Sequence, residues 1–259
     1  MLEGSEIVDA HVNCDKVQDP YSLRCVPQVH GASRNAWLHL KETVEIEINS
    51  VTDNPVVFSE DLTISGGNFH GQPLALPIDY ACLAAAELGN ISDRRAYLSL
   101  EGKYEGTPKL LMKDTGLDSG FMILQYTGAA LASENKGLCF PSSADSIPTS
   151  LGQEDHVSMG SIGARKALRV CKNLKQILAI ELLCAAQAFD FRKPLKSSSI
   201  LDNVHGKVRE TISHATEDRF FAKDIKKAHD LIESKVLMNI CNADEGIQSS
   251  DSHVLFEKY

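Results

Sequence analysis

"GARKALRVCKNLKQILAIELLCAAQAFDF", residues 163–191, carries its basic residues early and becomes apolar from Ile177 onward. As one helix it would run ~40 Å at 1.5 Å per residue. Its second half would then need apolar neighbours, which predicts a protein of long packed helices. Working outward, the segment from about Val26 to Asn49 opens with Pro27 and mixes apolar and charged positions at helical spacing. Alanine and leucine dominate from Ile78 to about Leu100 and from Gly120 to about Leu138, as in core helices. Near the end, Ile225, Ala228, Ile232 and Val236 step by three and four, predicting one amphipathic helix that begins near Asp224.

Between these stretches, "SVTDNPVVF" and "TISGGNFHG" bring proline, paired glycines and short β-branched pieces, predicting an irregular excursion with short strands at about residues 50–76. "CFPSSADSIPTSLG", residues 139–152, reads as an extended connection. The fold class is mainly α, with long helices and one polar, glycine-containing loop region.

The bulk numbers exclude several function classes. A hydrophobic fraction of 43% with 24% charged residues describes a globular chain rather than a disordered one. The balance of 26 basic against 35 acidic residues gives −9, and no basic run offers a track for phosphates, so no nucleic acid partner is expected. The seven cysteines, Cys14 among them, are scattered and form no CxxC pair, which predicts neither a disulfide framework nor a zinc knuckle and suits the cytoplasm. The polar start "MLEGSEIVDAHVNCDKV" shows no signal peptide. The longest apolar-rich stretch, Ile177 to Phe189, is shorter than a membrane span and carries Glu181 and Gln187, so no membrane partner is expected.

Three polar clusters carry the candidate chemistry. In "SLGQEDHVSMG", residues 150–160, an amide, two acids and an imidazole stand in a row. Adjacent residues on a helix point about 100° apart, so Glu154, Asp155 and His156 converge poorly on a metal, and none is expected. The plainer reading is acids placed ahead of a helix whose N-terminal end is positive. In "QDPYSLR", residues 18–24, Gln18, Tyr21 and Arg24 recur every third residue and share a face if the segment turns helically. An arginine fork donates two parallel hydrogen bonds to a carboxylate, and a phenol beside it is a candidate proton carrier, so this cluster would accept a small acid. A capped helix start with a packed tyrosine is the structural alternative. In "SGGNFHG", residues 65–71, Gly66 and Gly67 permit a tight turn, but no GKS or GKT follows, and "GSIG" at 160–163 is only a fragment of a dinucleotide pattern. His70 by itself reads more readily as a satisfied side chain than as a catalyst. No G-x-S-x-G elbow supports a hydrolase.

"VQDPYSLRCVPQVHGA", "EINSVTDNPVVF", "ISGGNFHG", "ASENKGLCFPSSADSIPTS" and "QEDHVSMGSIGARKALRV" together resemble the histidine ammonia-lyases in order and spacing, over about residues 17–240. These enzymes belong with the aromatic amino acid lyases and aminomutases, and "QEDHVSM" and "GNFHG" resemble the histidine-specific members more closely. The resemblance implies a long-helix bundle that assembles as a homotetramer with shared active sites. It also implies elimination of ammonia from L-histidine to give trans-urocanate, with no metal or diffusible cofactor. The family's electrophile is a methylidene-imidazolone prosthetic group made from an Ala-Ser-Gly tripeptide in the N-terminal half, and this sequence contains no Ala-Ser-Gly. The resemblance is therefore to the C-terminal half, and the implied partners are an N-terminal half chain, further copies of this chain, or both. Alone, the chain is expected to be inactive.

Carried over by position, Arg24 matches the arginine that grips the substrate carboxylate, Tyr21 a tyrosine at the electrophile and Gln18 a nearby amide. Phe69 matches the aromatic packed against the reacting centre. Glu154 matches the acid that contacts the substrate imidazole and assists proton abstraction, where phenylalanine-type enzymes usually carry an amide. Tyr21 and Glu154 are thus the candidate catalytic residues, and Gln18, Arg24, Phe69 and Glu154 the candidate substrate-binding ones. The alternative is a non-catalytic helical assembly module or pseudoenzyme remnant of the same family, whose exposed faces would carry apolar patches. "PSSADSIPTS" resembles the serine loop of fumarase-type lyases only superficially, lacking its lysine and asparagine.

Overall fold

The computed structural model describes residues 2–12 and 16–244. The chain divides into two compact units, one made of Met1–Pro27, Gly89–Ser133 and Asn173–Tyr259, the other of Gln28–Leu88 and Glu134–Lys172. In chain order the elements are α1 (Glu6–Asp9), α2 (Tyr21–Arg24), α3 (Val26–Ile48), β1 (Val56–Val57), β2 (Thr63–Ile64), α4 (Gln72–Leu100), α5 (Met122–Leu138), α6 (Gly160–Asp190), α7 (Ser199–Thr211), α8 (Ala222–Glu233) and α9 (Val236–Asp244). The mainly helical class predicted from periodicity is what the chain adopts.

In the first unit the core is built from Ala96 and Leu100 of α4, Phe121 just before α5 and Leu124 within it, Ile180, Leu183 and Cys184 of α6, Val208 of α7, and Ala228 and Leu231 of α8. Burying each large apolar side chain contributes ~1.5–3 kcal/mol, so the apolar half of α6 finds the neighbours its composition demands. Gln187, 1% exposed in this setting, is paired at both ends of its amide. It donates to the carbonyls of Leu111 at 3.2 Å and Ala215 at 2.8 Å and accepts the Ala215 N–H at 3.1 Å. Asp190, at the end of α6, faces His205, Arg209, His214 and Lys193 at 2.8–3.0 Å. Gly120 adopts φ +56°, and a Cβ there would lie 2.5 Å from Met112 Cγ and 2.6 Å from the Leu110 carbonyl, so only glycine fits this close approach.

In the second unit β1 and β2 pair antiparallel, Val56 opposite Ile64 and Val57 opposite Thr63. Asn54 Oδ1 closes the hairpin by accepting from Ser65 Oγ at 3.1 Å and the Gly66 N–H at 2.8 Å. The buried Asp79 of α4 accepts the Ser143 N–H at 2.7 Å and pairs with Lys166 of α6 at 3.0 Å. Lys166 also donates to the Phe140 carbonyl. The start of the 139–159 connection is thereby tied to α4 and α6.

Two boundaries differ from the sequence reading. The excursion ends at Gly71, and α4 begins at Gln72 instead of Ile78, with Pro77 inside it. Pro77 lies past the first turn and forgoes the bond that an N–H there would make to the Pro73 carbonyl, while the helix start is capped from outside the helix. The N–H groups of Leu74 and Ala75 reach the Gly71 carbonyl, and the Gln72 N–H reaches His70 Nδ1. At the other end Val236 does not continue the helix that holds Ile225 and Ala228; Lys235, at φ +58°, ends that run and α9 starts afresh.

Among the described residues α4 is the one helix long and apolar enough to cross a membrane by length and composition. Its ion-paired Asp79 is instead buried against Lys166 within the second unit. The described cysteines are free thiols, while Cys14 lies outside the described residues. Burial pushes the Cys82 and Cys184 thiols up to about 12, which leaves them unreactive near neutral pH.

Candidate active site

Pro20 fixes the entry to α2, and the N–H groups of Leu23 and Arg24 both reach its carbonyl at 3.0 Å. This single turn brings Tyr21 and Arg24 together, with the guanidinium 4.8 Å from the centre of the phenol ring. Arg24 Nε donates to the Asp19 carbonyl at 3.2 Å, which holds one edge of the fork and leaves the terminal nitrogens for an anion. Tyr21 is 70% exposed, so the packed-tyrosine alternative does not describe it. Gln18 sits in the bend before the turn, outside α2. These three residues belong to the first unit.

Phe69 and Glu154 belong to the second unit and line one cavity of about 650 Å³, together with His70, His156, Ser158 and Ser161. Phe69 follows the paired glycines and is half exposed, its ring offered to the cavity rather than to a core. His70 is a satisfied side chain. Its Nδ1 accepts the Gln72 N–H at 3.3 Å, so the proton sits on Nε2, which donates to the His156 carbonyl at 2.9 Å. The two imidazoles stack at 5.6 Å. This histidine therefore joins the Phe69 segment to the Glu154 segment, a job that spacing along the chain gave no sign of.

Glu154 lies after a run of left-handed backbone at Ser150, Leu151 and Gly152, with φ of +49°, +57° and +88°. Its carboxylate accepts from Thr149 Oγ1 at 2.6 Å and Ser150 Oγ at 3.1 Å, both at Oε2. The Thr149 hydroxyl first and the Ser150 hydroxyl second hold this carboxyl below the usual glutamate range, against a small opposing effect of desolvation. No acid stands in the first turn of α6, whose Gly160 N–H is taken by Ser158 Oγ. Glu154 and Asp155 stand ahead of that helix, where both line the cavity. Among the described residues no group of three or more His, Cys, Asp or Glu side chains is placed to hold a metal ion.

The family model for aromatic amino acid lyases matches residues 1–210. The chain belongs to the aromatic amino acid lyase family. Among curated relatives, the histidine ammonia-lyase of Natranaerobius thermophilus is 53% identical over 234 residues, covering 90% of this chain and 46% of the relative. Among solved structures, histidine ammonia-lyase from Trypanosoma cruzi superposes with a TM-score of 0.85 at 42% identity, over 90% of this chain and 46% of that one. Tyrosine aminomutase from Streptomyces globisporus gives a TM-score of 0.83 at 35% identity, over 93% and 48%. The mainly helical fold is that of these lyase-family structures, and the chain spans about half the length of the curated relatives it matches.

Proposed function

We propose that residues 1–259 are the C-terminal portion of a histidine ammonia-lyase, supplying the side chains that hold L-histidine while ammonia is eliminated to give trans-urocanate. The observation that carries this reading is the pairing of Phe69 and Glu154 on one cavity, in a chain of this family. An aromatic ring beside a carboxylate suits an imidazole, which offers a flat face to the one and an N–H to the other. Arg24, with its Nε already held, grips the substrate carboxylate through its terminal nitrogens. Tyr21 handles a proton beside it, and Gln18 contributes a hydrogen-bonding amide.

Elimination also needs an electrophile that activates the amine. The residues present do not fit the family's methylidene-imidazolone, because the 259-residue sequence holds no Ala-Ser-Gly from which to make it. The electrophile would come from an Ala-Ser-Gly segment outside these residues. No metal or diffusible cofactor is called for. The working assembly is a cytoplasmic homotetramer or a complex with an N-terminal half chain. In its support, Trp37, Val44 and Ile48 fall on one stripe of α3 and are 53%, 36% and 73% exposed, an apolar face that suits a partner. The same stripe favours the second reading, a purely structural assembly module.

The test is urocanate formation, followed by absorbance, from the 259-residue chain alone and from the chain co-expressed with a relative's Ala-Ser-Gly-bearing half. Turnover only in the reassembled enzyme is expected. Turnover by the isolated chain overturns the division of labour, and a well-assembled but inactive complex favours the structural module.

A further inference from the structure

We infer that Thr149 and Ser150 are positioning residues whose hydroxyls hold Oε2 of Glu154 and so present Oε1 to the imidazole N–H of histidine. The inference rests on the proposed lyase reading and deepens it. Both hydroxyls donate to the same oxygen, at 2.6 Å and 3.1 Å, and among the described residues no hydrogen bond engages Oε1. Thr149 also donates its backbone N–H to the Glu154 carbonyl at 2.9 Å, so one residue fixes the main chain and the carboxylate together.

The backbone conformation that allows this is an unfavourable one. Ser150 and Leu151 are successive non-glycine residues in the left-handed region, where Cβ crowds the following carbonyl. Leu151 is fully exposed, so apolar burial does not hold the turn in place. What the turn does make is the pair of hydroxyl–carboxylate bonds, and strain of this kind collects where a side chain must be pre-set.

The arrangement also separates two roles that a carboxylate can play. Two donors on one oxygen favour the ionised form, and such a carboxylate is a weak proton acceptor but a steady hydrogen-bond acceptor. Glu154 then selects an N–H-bearing ring instead of abstracting the β-proton. The other titratable groups lining the cavity are His70, Asp155 and His156. None of them appears among the groups that lower the Glu154 carboxyl.

The experiment has two arms. In the 259-residue chain, carbon-13 NMR follows the Glu154 carboxyl through an acid titration in the native protein, Thr149→Val, Thr149→Ser and Ser150→Ala. The midpoint should rise toward the ordinary glutamate value in Thr149→Val, return in Thr149→Ser, and rise less in Ser150→Ala, which loses only the longer bond. In the reassembled enzyme, Thr149→Val should raise KM for histidine about tenfold with kcat nearly unchanged, as for loss of a hydrogen bond that orders a charged group. An unmoved midpoint, or an unmoved KM where Glu154→Gln raises it, overturns the positioning role and leaves the lyase reading standing. If Glu154→Gln itself leaves KM unchanged, the reading of Glu154 falls and the positioning role falls with it.

Discussion

The Nε2 of His70 lies 2.9 Å from the carbonyl oxygen of His156, and this bond links the loop that carries Phe69 to the loop that carries Glu154. The same ring accepts the Gln72 N–H at the start of α4, so one neutral imidazole caps a helix and spans two site segments. Its effect on function is through placement, since both ring nitrogens are already engaged.

Replacing His70 with alanine should therefore cost ~1–2 kcal/mol, the sum expected for a lost cap and one lost hydrogen bond. Urea unfolding checks the loss. Hydrogen exchange should show faster exchange at Gln72, whose amide loses its acceptor, and at Val157, which follows the released carbonyl. His70→Gln, which keeps a donor at a similar reach, should recover part of the stability. Equal exchange in native and His70→Ala chains would contradict the linking role.

The Asp79–Lys166 pair anchors the start of the 139–159 connection, through Ser143 and Phe140. Burial by itself would raise the Asp79 carboxyl, but the Ser143 N–H and the Lys166 ammonium outweigh it and hold it below 3.8. With the folded value depressed, its contribution is complete above the unfolded value and is lost as pH falls through the folded one. Stability measured from pH 5 downward should thus fall below about pH 4, and Asp79→Asn should flatten that limb. Lys166→Met leaves a buried carboxylate short of a partner and should cost ~3–5 kcal/mol, whereas the double variant Asp79→Leu/Lys166→Met should cost less than the two single changes added together.

How much of this was legible in the sequence depends on how far each interaction reaches. Apolar periodicity revealed α3, α5 and α6 because a helix repeats its pattern within its own span. It missed the first turn and a half of α4, where Pro77 reads as a stop and the compensating cap comes from His70 and Gly71. It also ran α8 into α9, because Val236 keeps the three-and-four spacing while the interruption is a backbone matter at Lys235. The resemblance picked out Phe69 and Glu154, yet the hydroxyls that hold Glu154 depend on a left-handed turn that residue types alone do not announce. The acid-and-base arrangement at Asp190 was equally hidden, since its partners on and after α7 lie 15–24 positions further along.

That arrangement makes a prediction of its own. Asp190 is 8% exposed in its side chain, hydrogen-bonds Lys193 and His214, and lies within ion-pair distance of Arg209 and His205. Asp190→Asn should cost ~3–5 kcal/mol, because it leaves the half-buried Arg209 without its counter-charge. For His205, burial chiefly, with Arg209 and Lys193 adding to it, lowers the imidazole below 6.5 despite Asp190. Protonation then favours the unfolded chain, so stability should decline as pH falls below about 6.5, and His205→Phe should remove that part of the slope. Guanidinium unfolding at several pH values between 5 and 8 reads both effects.

If Glu154 reads the imidazole of histidine, its loss must show in kcat/KM of Glu154→Gln in the reassembled enzyme. For histidine it should fall roughly 10- to 100-fold, the range for losing a charge-assisted hydrogen bond, with thermal stability unchanged. An unaltered kcat/KM in a properly assembled enzyme would contradict it.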